Sequence, residues 1–402
     1  MAARAGRLGL LVVTAACFAV SVADEPRPAP GDAETRPATP SRYPRVAMLW
    51  SPADVETDTK WANIARHDVI VLGPEALGLQ WRFERYRGLA EAFEPESVKG
   101  ARKNLRTIHE HNDRAVVLVE QYYFEDDKKA YPPEHDWWLR DEDGEKESFW
   151  PGTWKMDVTD AGYIAHVARR VEAIHKAADG AAGVFLDNVR YDVDSRVAWL
   201  TLLKHIRRRC GGEMPILVNA GYMTEQQGWL APHVNGILYE DSIHYRHGRM
   251  GEEAFYERLA ATDAKLRPLA DGRRISINEV FGKRADVAHM RRELMRTLVY
   301  TNMAFLYADS THGHHHGWPA LWDCPLGPPV DQPATPRDAR LARRRFQGGE
   351  VLWLPPSADE PATVTLEAPM RDAVGKRRVR TITLAPGSGA VLIRPDRDEA
   401  GP

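Results

Sequence analysis

The chain has 402 residues, a hydrophobic fraction of 43% and a formal net charge of −3. A single hydrophobic core stops growing near about 250–300 residues, so this length predicts one large domain followed by a small one. The ordinary hydrophobic fraction excludes a largely disordered chain, and the absence of a basic block or stripe argues against nucleic acid as the main partner.

The N-terminus has the three parts of a secretory signal peptide. Two arginines precede an apolar run over residues 8–20, which is too short for a good membrane span. Ser21-Val22-Ala23 then supplies small residues where a signal peptidase cleaves. We expect residues 1–23 to be removed and the mature chain, which has no other apolar run of spanning length, to be secreted or periplasmic. An uncleaved anchor is the alternative.

The next segment, residues 24–42, is rich in proline, alanine and charge and has almost nothing to bury. It predicts a disordered linker.

From residue 45 to 310 the chain repeats one pattern, in which a short apolar run precedes a polar amphipathic stretch. The runs are β-branched or aromatic, as in parallel strands that are buried on both faces. Between them, spacings such as Val287, Met290, Leu294 and Leu298 are typical of one helix face. The predicted strands cover residues 46–50, 68–73, 115–120, 183–188, 215–220, 236–241, 274–279 and 304–309.

Eight strands alternating with helices predict an α/β fold, a (β/α)8 TIM barrel over residues 43–324. A doubly wound open sheet is the alternative, but no glycine-rich phosphate turn follows the first strand. A second proline-rich linker is predicted at residues 325–340. Beyond it, residues 341–396 predict a small antiparallel β-domain packed on the barrel, with strands near 351–354, 363–366, 380–384 and 390–393.

Polar residues end six of the predicted barrel strands. The C-terminal ends of the strands build the active site of a TIM barrel, and converging like charges cost stability unless they serve a purpose. We therefore interpret these residues as a functional mouth. They are Glu120, Asp187, Asn219, Glu240 with Asp241, Glu279 and Asp309.

Two carboxyl groups at one mouth are the requirement for glycoside hydrolysis, where one protonates the leaving oxygen and the other attacks or activates water. Asp187, at the end of a rigid apolar strand, is the candidate nucleophile or base. Glu240 is the candidate acid, because apolar surroundings would raise its pKa. Glu279 and Asp241 remain alternative catalytic residues.

Aromatic residues favour a sugar ligand, since sugar rings stack on aromatic faces. The loop over residues 121–158 contains seven tyrosines and tryptophans, and a turn at Asp141-Glu142-Asp143-Gly144 predicts strands within it. Trp318 and Trp322 follow the last barrel strand. The predicted substrate contacts are Glu120, Tyr123, Trp154, Asp157, Asn188, Asn219, Tyr239, Asp309, His314 and Trp318.

The segment His312–His316 contains four histidines. Imidazole is a common zinc ligand, but the spacing is no recognised ligand pattern, which favours a substrate-facing loop. We predict no metal and no cofactor. After cleavage the chain keeps two cysteines, Cys210 and Cys324, which could pair but whose sequence positions do not establish a disulfide.

Four segments carry a family resemblance: 154–159 (WKMDVT), 183–189 (GVFLDNV), 218–222 (VNAGY) and 238–242 (LYEDS). With them, the sequence resembles secreted, hypothetical glycoside-hydrolase TIM barrels near the endo-α-1,4-polygalactosaminidases. The tail from residue 345 to 391 resembles the small β-domain that follows many such barrels. In similar families an Asp ending the fourth strand and a Glu or Asp ending the sixth form the catalytic pair, which implies Asp187 and Glu240.

Three functions from different classes remain. The leading hypothesis is an exported glycoside hydrolase that acts on an extracellular or cell-envelope polysaccharide. The second is a glycan-binding barrel without turnover. The third is a metal-dependent polysaccharide deacetylase using His312 and His316, but the first strand ends in Leu49-Trp50-Ser51 and lacks the aspartate pair that this chemistry needs.

Overall fold

The computed structural model describes residues 43–189, 193–219, 229–240, 251–309, 313–336 and 341–395. The expected signal peptide, the first linker, Asp241 and His312 lie outside these residues.

Eight parallel strands form the large sheet in simple sequence order. The backbone N–H of Phe305, on the last strand, donates to the Arg45 carbonyl over 2.9 Å and pairs the last strand with the chain entering the first. This closure confirms the predicted TIM barrel. The barrel strands are β1 Ala47–Leu49, β2 Val69–Leu72, β3 Val116–Gln121, β6 Gly183–Leu186, β7 Ile216–Asn219, β8 Gly236–Glu240, β9 Ile277–Phe281 and β10 Ala304–Ala308.

Helices fill the connections between these strands. Each of the long ones buries an apolar stripe against the sheet, and side-chain caps start two of them: Asp160 accepts from the Tyr163 N–H and Asp286 from the His289 N–H. The helices are α1 Lys60–Ile64, α2 Pro74–Leu77, α3 Pro95–His111, α4 Ala161–Ala177, α5 Val193–Cys210, α6 Glu252–Asp263 and α7 Val287–Tyr300.

All eight predicted strands overlap observed ones, and β9 differs most. It runs two residues beyond the predicted end, because Val280 and Phe281 still pair with Tyr307 and Ala308 of β10. Glu279 therefore lies inside the strand rather than at its end.

The long loop after β3 contains its own hairpin, as the sequence predicts. β4 (Glu125–Asp127) pairs with β5 (Thr153–Lys155) in antiparallel register. The predicted turn also forms: Gly144 has φ 83°, and the Asp141 N–H donates to the Glu145 carbonyl over 2.9 Å.

Alternate residues of the barrel strands point inward and form a buried apolar core. Inward residues nearest the mouth on five strands are Leu118, Phe185, Leu217, Leu238 and Ile277. This alternation decides which polar residues reach the mouth, because the inward direction recurs two positions later.

A five-stranded antiparallel sheet follows the barrel, formed by β11 Ala342–Phe346, β12 Gly349–Leu354, β13 Ala362–Asp372, β14 Arg378–Leu384 and β15 Ser388–Ile393. The sequence did not predict β11, whose arginine run looks solvated. Arg344 is nevertheless buried, and its guanidinium donates to the Leu298 carbonyl of α7 over 2.7 Å. This bond attaches the sheet to the barrel.

Within the described residues, no helix is long and apolar enough to cross a membrane. Cys210 and Cys324 are both free thiols.

Candidate active site

Five polar side chains form the top layer of the barrel interior. Each follows an inward apolar residue by two positions, so the strand alternation points it into the mouth. They are Glu120 after Leu118, Asp187 after Phe185, Asn219 after Leu217, Glu240 after Leu238 and Glu279 after Ile277. These five residues and His314 are together called the mouth cluster.

Asn219 connects the two carboxylates that the sequence selected. Its Nδ2 donates to Asp187 Oδ1 over 2.9 Å and to Glu240 Oε2 over 2.8 Å. One amide nitrogen carries two hydrogens, so it can serve both carboxylates at once. Asp187 and Glu240 therefore face a common point from β6 and β8.

Glu240 has a neighbour of like charge. It is the register partner of Glu279 on the adjacent strand β9. Burial, followed by the repulsion of Glu279, raises the pKa of Glu240 from 4.5 to about 7. A carboxyl group with this pKa is partly protonated near neutral pH and can donate a proton.

Glu279 is fully buried, and His314 is its partner. His314 Nδ1 lies 2.5 Å from Glu279 Oε1, and the imidazole is itself only 2% exposed. Although burial lowers the pKa of His314, the bond to Glu279 and the nearby carboxylates raise it overall. This contact favours the imidazolium form of His314, whose positive charge offsets part of the negative charge of the mouth.

Glu120 is held by an indole. Trp50 Nε1 donates to Glu120 Oε2 over 2.9 Å. Burial and the charge of Asp187 raise the pKa of Glu120 to about 8, against the lowering effect of the Trp50 bond. Glu120 is therefore mostly a neutral acid at neutral pH, and it adds little repulsion to the ionised Asp187.

Asp187 has a second donor in Asn188, whose Nδ2 lies 3.0 Å from Asp187 Oδ2. The same Nδ2 lies 3.0 Å from Oε1 of Glu125, at the base of the β4–β5 hairpin. Two amide donors stabilise the ionised form of Asp187, which suits a nucleophile or base. Asn188 also ties the hairpin to the end of β6.

Three residues at the mouth adopt a left-handed backbone without being glycine: Trp50 (φ 57°), Asn188 (φ 52°) and His314 (φ 50°). The side chain of each contacts a buried carboxylate. Trp50 donates to Glu120, Asn188 donates to Glu125, and His314 pairs with Glu279. Left-handed conformations of such residues cost energy and concentrate at functional sites.

Glu240, Glu279 and His314 could also hold a metal ion, because one donor atom from each lies within 4.8 Å of the other two. Two carboxylates and an imidazole suit a transition-metal ion such as Zn²⁺. In the structure the Glu279–His314 contact occupies part of this donor set, so a cation would have to replace its proton.

Two predicted substrate contacts are corrected by the structure. Tyr239 is fully buried on the outer side of β8, since it adjoins the inward Glu240. Tyr123 is also fully buried, with its hydroxyl donating to the Val158 carbonyl over 2.8 Å. Its ring stacks on Tyr163 of α4, 5.6 Å away, and meets Trp199 of α5 edge-on at 4.3 Å, so it packs between these helices rather than in the mouth.

Besides Asn188, four other predicted contacts lie outside the mouth cluster, and substrate binding by all five stays a prediction. Trp154 packs on Trp138 in the hairpin, and Asp157 accepts from Thr159. Asp309 follows the inward Ala308 by one position and pairs with Arg284 at 2.6 Å.

The fourth of these contacts, Trp318, lies beside a buried histidine pair. His316 Nε2 is 3.0 Å from His67 Nε2, and the His67 ring meets Trp318 edge-on at 5.1 Å. His316 Nδ1 is 3.0 Å from the His314 carbonyl. His316 therefore packs behind the mouth rather than in it, which removes one ligand from the deacetylase hypothesis.

Sequence reasoning missed two residues beside the mouth, Trp50 and Glu125. Trp50 was counted as an apolar strand residue, although its position at the end of β1 is itself a signal. Glu125 lies in the loop after β3, as does Tyr122, which belongs to the loop aromatics that favour a sugar ligand. The pKa of the Tyr122 hydroxyl is raised mainly by Glu120, which places this 41% exposed ring next to the mouth.

Neither a family model nor a curated protein matches the sequence. Solved structures do match. The maltogenic α-amylase AmyB from Thermotoga neapolitana is 11% identical with a TM-score of 0.50, covering 86% of this chain and 97% of that one. An α-amylase from Geobacillus thermoleovorans is 12% identical with a TM-score of 0.50, covering 87% and 98%.

The cyclic α-maltosyl-(1→6)-maltose hydrolase from Arthrobacter globiformis is 11% identical, with a TM-score of 0.50 and coverage of 87% and 98%. At these identities the likeness shows the fold alone. The chain shares with these glycoside hydrolases a TIM-barrel architecture over most of its length.

Proposed function

We propose that the protein is a glycoside hydrolase that uses Asp187 and Glu240. The observation that carries this proposal is the amide of Asn219, which donates to both carboxylates, 2.9 Å from Asp187 and 2.8 Å from Glu240. Two carboxyl groups facing one point at a barrel mouth are the machinery of glycosidic bond cleavage.

The environments of the two groups differ in the way that the reaction requires. Asp187 accepts from Asn188 and Asn219, which favours its ionised form. Glu240 is buried beside Glu279, and its pKa of about 7 favours the protonated form. Asp187 is thus the nucleophile, and Glu240 protonates the leaving oxygen and later activates water.

The spacing favours retention of anomeric configuration. Because Asp187 Oδ1 and Glu240 Oε2 bind the same nitrogen, they are less than about 6 Å apart, near the about 5–5.5 Å of retaining enzymes and below the about 6.5–9.5 Å of inverting ones. The Asp187 carboxylate would form a bond to the anomeric carbon as the leaving oxygen takes the proton of Glu240. Water then cleaves that bond after giving its proton to Glu240.

The substrate that fits is a polysaccharide of neutral or cationic sugars. The mouth keeps a negative charge from Asp187 and from the partly ionised Glu240, although Glu120 is mostly neutral and His314 offsets Glu279; this charge disfavours uronic acids and suits amino sugars. The resemblance to endo-α-1,4-polygalactosaminidases points to the same class. Exposed aromatic faces at Tyr122 and at Trp150, which is 54% exposed, offer stacking surfaces for further sugar units.

The test is reducing-end release from neutral, amino-sugar and uronic-acid polysaccharides, by wild type, Asp187→Asn and a surface control, Asp113→Asn. We expect release by the wild type and the control and none by Asp187→Asn. Proton NMR of the first product should show the anomer of the substrate. Equal release by Asp187→Asn would contradict the proposal, and glycan binding without any release would favour the glycan-binding barrel.

We also propose that the enzyme is exported through residues 1–23 and acts on an extracellular or cell-envelope polymer. The apolar run and the Ser21-Val22-Ala23 site support this. N-terminal sequencing of the protein recovered outside the cytoplasm should begin after Ala23. Recovery of an intact Met1 in the cytoplasm would contradict export.

A further inference from the structure

A groove lies on the barrel face opposite the mouth cluster. The C-terminal half of α5 and the helical turn Ala231–His233 form its walls, and both precede the amino ends of strands, β7 and β8 respectively. The mouth cluster lies at the carboxyl ends of the same strands. The groove has a volume of about 430 Å³.

Five basic side chains line this groove, and no carboxylate does. They are Lys204, His205, Arg207, Arg208 and His233. The concentration stands out against the net negative charge of the chain. Like charges that converge on one cavity repel each other, so their arrangement needs an anion or a structural reason.

Arg207 has a structural reason that leaves its charge uncompensated. Its four terminal N–H groups are all engaged within the protein: they donate to the Gly212 carbonyl over 2.9 Å, to the Met214 carbonyl, to the His233 carbonyl over 3.2 Å and to Asn235 Oδ1 over 2.8 Å. These partners are neutral, so they fix the guanidinium in place without cancelling its charge. The nearest influence of opposite sign is Glu213, which already pairs with Arg267 at 3.5 Å.

Lys204 and Arg208 lack such a reason. Both are exposed, and within the ranges that the structure describes neither one has a hydrogen bond or an ion pair. Arg209, the next residue on α5, turns away to pair with Glu172 at 2.7 Å. The exposed side chains of Lys204 and Arg208 therefore lie beside the fixed guanidinium of Arg207.

The pKa values of the two histidines in the groove reflect the same positive charge. Burial and the charges of Lys204 and Arg207 lower the pKa of His233. Burial and the charges of Arg208 and Arg209 lower the pKa of His205. An anion in the groove would reverse the electrostatic part of both shifts, so its binding should take up protons.

We infer that this groove binds the phosphate group of a soluble ligand. Lys204, Arg208 and the two imidazoles can donate to several acceptor oxygens, and the fixed guanidinium of Arg207 adds positive charge that suits a group with more than one negative charge. Since the groove and the mouth lie at opposite ends of the barrel strands, the inference does not depend on the proposed hydrolase activity.

The test is calorimetric titration of the full chain with inorganic tripolyphosphate. We expect measurable binding that weakens with added salt and tightens from about pH 7.5 to about pH 5.5 as the imidazoles protonate. The double variant Lys204→Gln/Arg208→Gln should bind at least tenfold more weakly. The matched control Lys103→Gln/Arg106→Gln, with the same charge change on α3, should bind within about twofold of wild type.

Melting temperatures of the two double variants should agree, so that loss of binding is not loss of folding. Three results would overturn the inference: no binding at millimolar tripolyphosphate, equal weakening by both double variants, or no pH dependence. Phosphatidylglycerol vesicles form a separate arm. Binding to vesicles but not to tripolyphosphate would assign the groove to a membrane surface and would also overturn it.

Discussion

Glu240 and Glu279 are register partners on adjacent strands, so two carboxylates stand side by side at the barrel mouth. The barrel tolerates this pair because His314 offsets part of the charge of Glu279 and because Glu240 is partly protonated near neutral pH. Burial and the charge of Glu279 raise the pKa of Glu240, against the lowering effect of His314, so Glu279 has an electrostatic role at the mouth.

Glu240→Gln should lower turnover of natural polysaccharides by about 10²–10⁴-fold, because the leaving oxygen loses its proton donor. Substrates with activated leaving groups should lose much less in the glycosylation step. In the wild type, kcat/KM should fall as pH rises through about 7, since Glu240 must carry a proton. That alkaline limb should vanish in the variant. Persistence of the limb would assign it to another group.

His314→Gln should destabilise the fold by about 3 kcal/mol, because it leaves the buried Glu279 without its cation. Glu279→Gln should cost less, since an imidazole that loses its partner can become neutral. The double variant should lie close to Glu279→Gln alone in urea unfolding. Additive losses would show that the two side chains do not act as a pair, and His111→Gln on the surface is the control.

Glu120→Gln should change how stability depends on pH. The pKa of Glu120 is raised in the folded state to about 8 from 4.5, so the folded protein holds a proton that the unfolded chain releases. Its contribution to stability is complete below about pH 4.5 and is lost as pH rises through about 8. The variant should therefore gain about 2–4 kcal/mol on wild type between pH 5 and pH 9.

Urea unfolding at both pH values measures this difference, with the exposed Glu110→Gln as the control. A constant difference between wild type and Glu120→Gln would mean that Glu120 is ionised in the folded protein at both pH values.

Chelation should leave activity unchanged, because protons and His314 already satisfy the donor set at the mouth. Added Zn²⁺ should inhibit by binding Glu240, Glu279 and His314, whose donor atoms lie within 4.8 Å. Inhibition should weaken at lower pH, where protons compete for the ligands. Calorimetry with His314→Gln should show the loss of one zinc site, whereas an activity lost on chelation would revive a metal-dependent reaction.

Trp150→Ala should lower kcat/KM on long polysaccharides by about three- to tenfold, the loss expected for one stacked ring. Short aryl glycosides, which do not reach the hairpin, should react as before. Trp150 is 54% exposed on the turn before β5, so its removal leaves the core intact. Trp150→Phe, which keeps an aromatic face, should retain most of the activity. Equal losses on both substrate types would place Trp150 outside the binding path.

The fold could be predicted from the hydrophobic periodicity of the sequence, because each buried strand corresponds to a short β-branched run between amphipathic stretches. Most of the mouth cluster could be predicted from the ends of the predicted strands. An apolar run ends at each of Glu120, Asp187, Asn219 and Glu240. Strand alternation, applied more strictly, would also have rejected Tyr239, which adjoins the inward Glu240 and so points outward.

Other parts depend on tertiary contacts that no local pattern carries. Trp50 turns into the mouth only because the backbone becomes left-handed at the end of β1. The pairing of Glu279 with His314 joins a residue of β9 to one in the segment that follows β10. Tyr123 is buried against Tyr163 of α4 and Trp199 of α5, and a tyrosine at a loop start gives no sign of that burial.

The three left-handed residues at the mouth have a consequence for thermal adaptation. At Trp50, Asn188 and His314, glycine would relax a backbone conformation that costs about 1–3 kcal/mol, yet each replacement would remove a partner from a buried carboxylate. Selection for heat resistance alone would favour glycine at these positions, because glycine relaxes the backbone and so stabilises the fold. Catalysis would be the first property to be lost. Homologues from hot environments should therefore gain stability on the outer helices and keep these three strained positions unchanged.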